Sequence, residues 1–169
     1  MPSPHPAGHC SAAREWLANR PLRDDPRMAG HGSSLTWDDW VRQGRDAEAC
    51  LLEFLRGRPD PVMRSDIALA LGFVGGERGV GPLIDLLTDE EPAVVMEAAA
   101  ALGRIGDPDA VPHLIEALTS ADPNVRANAC QALGELRGDR ATAAVTATLG
   151  DSDPFVRAAA QQALIRIRR

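Results

Sequence analysis

An all-α solenoid of stacked helix pairs is the fold class this sequence predicts, and three observations carry the prediction. The first is repetition. DPVMRSDIALALGFV (60–74), EPAVVMEAAAALGRI (91–105), DPNVRANACQALGEL (122–136) and DPFVRAAAQQALIRI (153–167) follow one another at intervals of 31 residues without insertion. A fixed period in this range marks a repeat architecture. The second is apolar spacing. In the third copy Val125, Ala129, Ala132, Leu133 and Leu136 recur at three- and four-residue steps, one face of a helix. The third is composition: 44% hydrophobic but only 4% aromatic, with no Tyr, so Ala, Leu, Val and Ile must build the core.

The elements follow in chain order. Residues 1–34 carry Pro at 2, 4, 6, 21 and 26 and Gly at 8, 30 and 32, the composition of a flexible tail. Within it only Ser11–Asn19 reads as helical, with Trp16 and Leu17 on one face, and the sharper reading is a segment that orders on a partner. Residues 35–59 form a degenerate capping repeat. There Thr36 and Asp39 stand at capping-box spacing, and Trp37, Trp40 and Val41 cover the open end of the stack. An exposed tryptophan docking spot is the functional alternative. CLLEFLRGRPDP, one period before GPLIDLLTDEEP, sets Leu52 and Leu55 on the positions of Leu83 and Leu86.

The array proper spans 60–169, divided at 60–90, 91–121, 122–152 and the half-repeat 153–169. Each unit opens on an acid and a proline, a capping carboxylate followed by a residue pre-set for the first helical turn. A second helix follows. Val80, Leu83, Ile84 and Leu87 give its stripe in one unit, and Val111, Leu114, Ile115 and Leu118 in the next. Pro82 and Pro112 share a phase that places them in its first turn, where a missing N–H costs little. Neither helix of a pair buries its stripe alone, so stacking makes the core.

The string DPxVR…A…ALGxIGDPxAVPxLIxAL, read between Glu91 and Leu118 and again from Asp122, resembles the HEAT-repeat family. The match is to its short variety, the HEAT-like or phycobilisome-lyase-type repeat. The resemblance covers 60–169 and extends more weakly from Leu35. It implies a right-handed superhelix of antiparallel pairs, with first helices on the convex side and second helices on the concave side. It also implies that Arg64, Arg126 and Arg157 tie neighbouring repeats through turn carboxylates, a tie that Val95 lacks. The ankyrin TPLHxA signature and the tetratricopeptide landmarks are absent.

Chemistry is sparse. His5, His9 and Cys10 have no fourth metal ligand at a recognised spacing. His113 and Glu116 read as an exposed helical pair rather than an acid–base dyad, and Cys130 as a packing residue. No His-Glu dipeptide of the kind that holds iron in one HEAT-repeat hydroxylase family occurs. GFVGGERGVG matches no phosphate loop. The expectation is therefore no enzyme and no cofactor.

The expected function is a protein-binding scaffold using the concave face and repeat turns, through Arg78, Asp85, Asp109, His113, Glu116, Arg140, Ala144 and Thr148. A bilin lyase-like, chromophore-handling subunit is the alternative. From Leu35 to Arg169, 21 acids face 14 arginines, which favours basic or mixed protein partners over nucleic acid. No stretch is apolar enough for membrane insertion, and the start MPSPHPAGHC has no signal-peptide core. Three cysteines, odd in number and without CxxC, suggest a reduced cytoplasmic setting. The last copy stops after its first helix, so the expectation is either a half-repeat end partly capped by Arg166, Arg168 and Arg169 or an end offered to another protein.

Overall fold

The computed structural model describes Cys10, residues 44–74 and residues 76–168, with side chains from Glu48 onward. The expectations placed on His5, His9, Trp16, Trp37, Trp40 and Val41 lie outside the described residues. Among the described residues eight α-helices follow in order: α1 Gly44–Arg56, α2 Pro61–Val74, α3 Glu77–Leu86, α4 Pro92–Ile105, α5 Val111–Ala117, α6 Pro123–Leu136, α7 Gly138–Thr148 and α8 Pro154–Ile167. A 3-10 turn, Pro108–Ala110, precedes α5. No strand occurs among the described residues.

Capping follows the sequence at Asp60, Asp122 and Asp153, but the Glu91 side chain makes no cap bond. The Asp122 carboxylate accepts the Asn124 N–H at 2.7 Å, and Asp153 accepts that of Phe155 at 2.7 Å. Asp107 caps the 3-10 turn instead of a long helix. The two prolines of one phase accordingly differ. Pro112 stands second in α5, while α3 starts helically at Glu77 and carries Pro82 in its interior, two residues beyond the expected first turn.

Between α6 and α7 the backbone is strained. Arg137 has φ 59° and ψ −161°, a region that L side chains rarely enter, and the residue one period earlier is Gly106 at φ 79°. Arg137→Gly is expected to raise the urea midpoint, a gain of about 1 kcal/mol.

Neighbouring first helices, α2, α4, α6 and α8, pack directly on each other. Their contact is backbone to backbone: a Cβ added at Gly72 would lie 2.7 Å from Ala101 Cα, one at Gly103 2.9 Å from Ala132 Cα, and one at Gly134 2.7 Å from Ala163 Cβ. Only a bare glycine facing alanine permits that approach. The second helices α3, α5 and α7 touch their counterparts sparsely, and α1 takes the place of a second helix in front, against α2 and α3.

A stack spaced more closely on one side curves toward that side, so the first helices form the inner layer and the second helices the outer one. This reverses the expected assignment of convex and concave faces. Family resemblance alone had set it, and the Gly–Ala spacing decides it the other way. Between the layers runs one continuous core in which Leu71, Leu102 and Leu133 meet Leu83, Leu114 and Val145, each exposed by 1% or less.

Candidate functional site

The outer layer carries the residues singled out in the sequence. Arg78, Asp85, Asp109, His113, Glu116 and Arg140 are all exposed there, on α3, α5, α7 and the turn ahead of α5. Thr148 differs. It shares a phase with Leu86 and Ala117 on the inward side of the outer helices, is half-buried, and donates its hydroxyl to the Ala144 carbonyl at 2.9 Å. The outward counterpart of Asp85 and Glu116 is Ala147, which is exposed. One residue of phase separates the two, and the weak apolar pattern of α7 did not resolve it.

The face that sequence reasoning missed belongs to the inner layer. On each first helix the residues one, five, eight and twelve places after its proline point away from the outer helices. These positions hold Val62, Asp66, Leu69 and Phe73 on α2, then Ala93, Glu97, Ala100 and Arg104 on α4. They continue as Asn124, Asn128, Gln131 and Glu135 on α6. All twelve are exposed or half-buried, although they lie along closely packed helices. On α8 the series is Phe155, Ala159, Gln162 and Arg166, of which Ala159 alone is buried. The surface therefore passes from apolar and acidic at α2 to amide-rich at α6. At its edge the Arg104 guanidinium lies 4.5 Å from the Phe73 ring centroid, and Arg166 Nη1 donates to Glu135 Oε1 at 3.1 Å. The period-31 alignment could have revealed these rows, had the exposed phases been compared instead of the buried ones.

A second feature is a ladder along the turns. Arg64 donates through Nε and Nη2 to the two carboxylate oxygens of Asp89 at 2.8 and 2.9 Å, and through Nη1 to the Pro59 carbonyl at 2.8 Å. Arg126 repeats this with Asp151, both bonds 2.9 Å, and reaches back to the Ser120 carbonyl at 3.0 Å. Paired forks of this kind are strong because both partners are charged and planar. At Val95 the arginine is lost, and Ser120 stands where Asp89 and Asp151 stand in the neighbouring units. Asp89 and Asp151 also accept the N–H two residues on, and Ser120 Oγ keeps that bond with Asp122 N at 3.2 Å. The serine retains the turn and drops the tie.

The hydrogen bonds from Arg126 and from the Asp153 N–H hold the Asp151 carboxyl down at about 2. At Asp89 partial burial is the largest single influence and works upward. The Arg64 hydrogen bond, the Glu91 N–H and the Arg64 charge together overcome it and leave that carboxyl below its usual range. A folded pKa below the unfolded one stabilises at pH above the unfolded value and ceases to do so as pH falls through the folded value. Wild type is thus expected to exceed Asp151→Asn in thermal stability at neutral pH. The gap should narrow from about pH 4 and close near pH 2, as followed by circular dichroism melts.

Between α1, α2 and α3 lies an open groove of about 870 Å³, lined by Arg56, Arg58, Arg64 and Arg78, by the acids Asp85, Asp89 and Glu90, and by Leu52, Leu55 and Leu86. The cysteines depart from expectation. Cys10 and Cys50 form a disulfide with an S–S distance of 2.07 Å, so cysteine usage no longer argues for a reduced compartment. The odd count concealed a pair whose 40-residue separation gave no motif. Cys130 is free and buried, and burial pushes its thiol up to about 11 against a smaller lowering influence of the Thr148 hydroxyl, which leaves it a packing group. Among the described residues no three His, Cys, Asp or Glu converge as a metal site.

The family model for HEAT repeats matches residues 48–122 and 111–169, more than half of the sequence. The chain belongs to the HEAT-repeat family. Solved HEAT-type structures share the fold. Human deoxyhypusine hydroxylase in complex with glycerol is 21% identical, with a TM-score of 0.62 over 96% of this chain and 56% of that one. The CpcE–CpcF complex of phycocyanin lyase from Nostoc sp. PCC7120 is 22% identical, with a TM-score of 0.62 over 99% of this chain and 66% of that one. This HEAT array thus spans less than two-thirds of either relative. No curated protein matches the sequence. The right-handed all-α solenoid expected of the HEAT family is the fold observed, and no helix among the described residues is long and apolar enough to cross a membrane.

Proposed function

We propose that this HEAT array is a non-catalytic scaffold that takes a protein partner on its inner face and adjoining turns. The observation that carries the reading is the exposed or half-buried band of one, five, eight and twelve along four successive helices, interrupted only at buried Ala159 and varied in chemistry from α2 to α8. Concave, extended surfaces of this kind suit protein recognition. The acid excess favours a basic or mixed partner that associates faster at low salt.

The test is capture of the native partner by three forms of the protein: wild type, Gln131→Arg with Gln162→Arg on the inner face, and Asp85→Arg with Glu116→Arg on the outer helices. The inner pair is expected to lose the partner and the outer pair to retain it, all three with equal helical content. Loss confined to the outer pair overturns the assignment.

One observation favours a second reading, a bilin-handling subunit. Arg56, Arg58 and Arg78, with apolar Leu52, Leu55 and Leu86, would accept a flat, carboxylate-bearing chromophore against the opposing charge of Asp85 and Glu90, while Arg64 is held by Asp89. Mixing with free bilin would then shift its visible absorbance, an effect abolished by Arg56→Ala with Arg78→Ala. An unchanged spectrum rejects this reading.

A further inference from the structure

Two positions stand on the solvent side of the outer helices α3, α5 and α7. The first holds Gly81, Pro112 and Ala143, of which Pro112 is half-buried and the others exposed. The second holds Asp85, Glu116 and Ala147, all exposed. One period before Gly81 and Asp85, the same two positions on α1 are Cys50 and Phe54. Cys50 is only 4% exposed and Phe54 is half-buried. Cys10 is bonded to Cys50, and the pair packs with Phe54. The first outer helix thus carries a sulfur and a large apolar ring where the others carry neither, and Cys10 of the same chain lies against them.

α1 is held to the stack by other contacts. Leu51 and Leu52 are buried in the continuous core, and the helix packs on α2 and α3. Cys10 and Cys50 form a cluster of their own, joined to that core through Phe54. Opening the bond therefore removes no residue of the leucine rows. The third cysteine does not compete. Cys130 lies buried in α6, and burial pushes its thiol up to about 11. The thiolate is the attacking species in exchange, so Cys130 stays out of it and the pair that opens is the pair that recloses.

We propose that Cys10–Cys50 is a redox switch that sets whether the solvent side of α1 is covered by the chain's own Cys10 or uncovered. A dithiol supplies the two electrons and two protons. Its thiolate attacks one sulfur and the protein S–S bond breaks. A second attack closes the dithiol into a disulfide and leaves two protein thiols. A small-molecule disulfide drives the reverse exchange. Reduction leaves the helices stacked and exposes Cys50 and Phe54. The switch acts on the outer layer, so its failure leaves the inner-face scaffold reading untouched.

The test compares the 169-residue protein before and after dithiothreitol, beside a Cys10→Ser, Cys50→Ser double variant that needs no reductant. A peptide map of the untreated protein is expected to show Cys10 linked to Cys50 within one chain. After reduction the circular dichroism should be unchanged, with iodoacetamide modifying Cys50 at least about tenfold faster than Cys130. Binding of an apolar fluorescent dye should rise about twofold or more on reduction and equally in the double variant, and Phe54→Ala should remove the rise. Oxidised glutathione should then restore the same link. Loss of helical content on reduction overturns the inference, since the bond would be a structural staple. Labelling of Cys50 as slow as that of Cys130, or a dye signal indifferent to reduction, overturns it too, since the face would stay closed. So does a link between two chains, no link at all, or a link that does not re-form.

Discussion

Leu102→Ala is expected to lower the free energy of unfolding by about 2–5 kcal/mol. Leu102 is fully buried at the middle of the stack, in a core shared by α4 with its inner and outer neighbours. Truncation removes the buried methyl and methylene groups and leaves a cavity. The alanine-rich helices around it are poorly placed to fill that cavity, because they already meet at backbone distance. The effect should appear as a lower urea midpoint with unchanged slope. A loss below about 1 kcal/mol would mean that the site collapses around the deletion or that the stack is looser than its glycine contacts imply.

Gly134→Val is expected to cost about 3 kcal/mol, for the opposite reason. Its new Cβ would lie 2.7 Å from Ala163 Cβ and 2.9 Å from Ala163 Cα, and no side-chain rotation relieves contact with a backbone carbon. Relief requires α6 and α8 to part, which also strips packing from their shared seam. Gly81 provides the control. It stands within α3 with nothing within 4 Å of an added Cβ, so Gly81→Ala should stabilise by about 0.5–1 kcal/mol through helix propensity. Opposite signs at two helical glycines would establish that the inner layer is held at glycine distance.

The helix pairs, their starts and the buried leucine row were legible because a strict period repeats each physical cue in register. Asp122 and Asp153 cap where the acid–proline pair says they should, and Leu71, Leu102 and Leu133 are interior as their spacing demands. Curvature was not legible. It depends on which layer packs more closely, and Gly72, Gly103 and Gly134 disclose that only when read against Ala101, Ala132 and Ala163 in space. The allotment of residues to faces turns on the same spacing: Arg78, Asp85, Asp109, His113, Glu116 and Arg140 lie exposed on the outer layer, while Asn128 and Gln131 belong to the inner band. Thr148 was misplaced because α7 offers little beyond Ala141 and Val145 to fix its rotation. The Cys10–Cys50 bond joins distant positions, and no local pattern announces it.

The joint at Val95 and Ser120 has a mechanical consequence. A coil whose turns are clasped at Arg64 and Arg126 but not between them is a spring of uneven stiffness. Tension on its ends should gather extension in the second coil while the others hold their pitch. The array thus carries a point of give midway along its inner band.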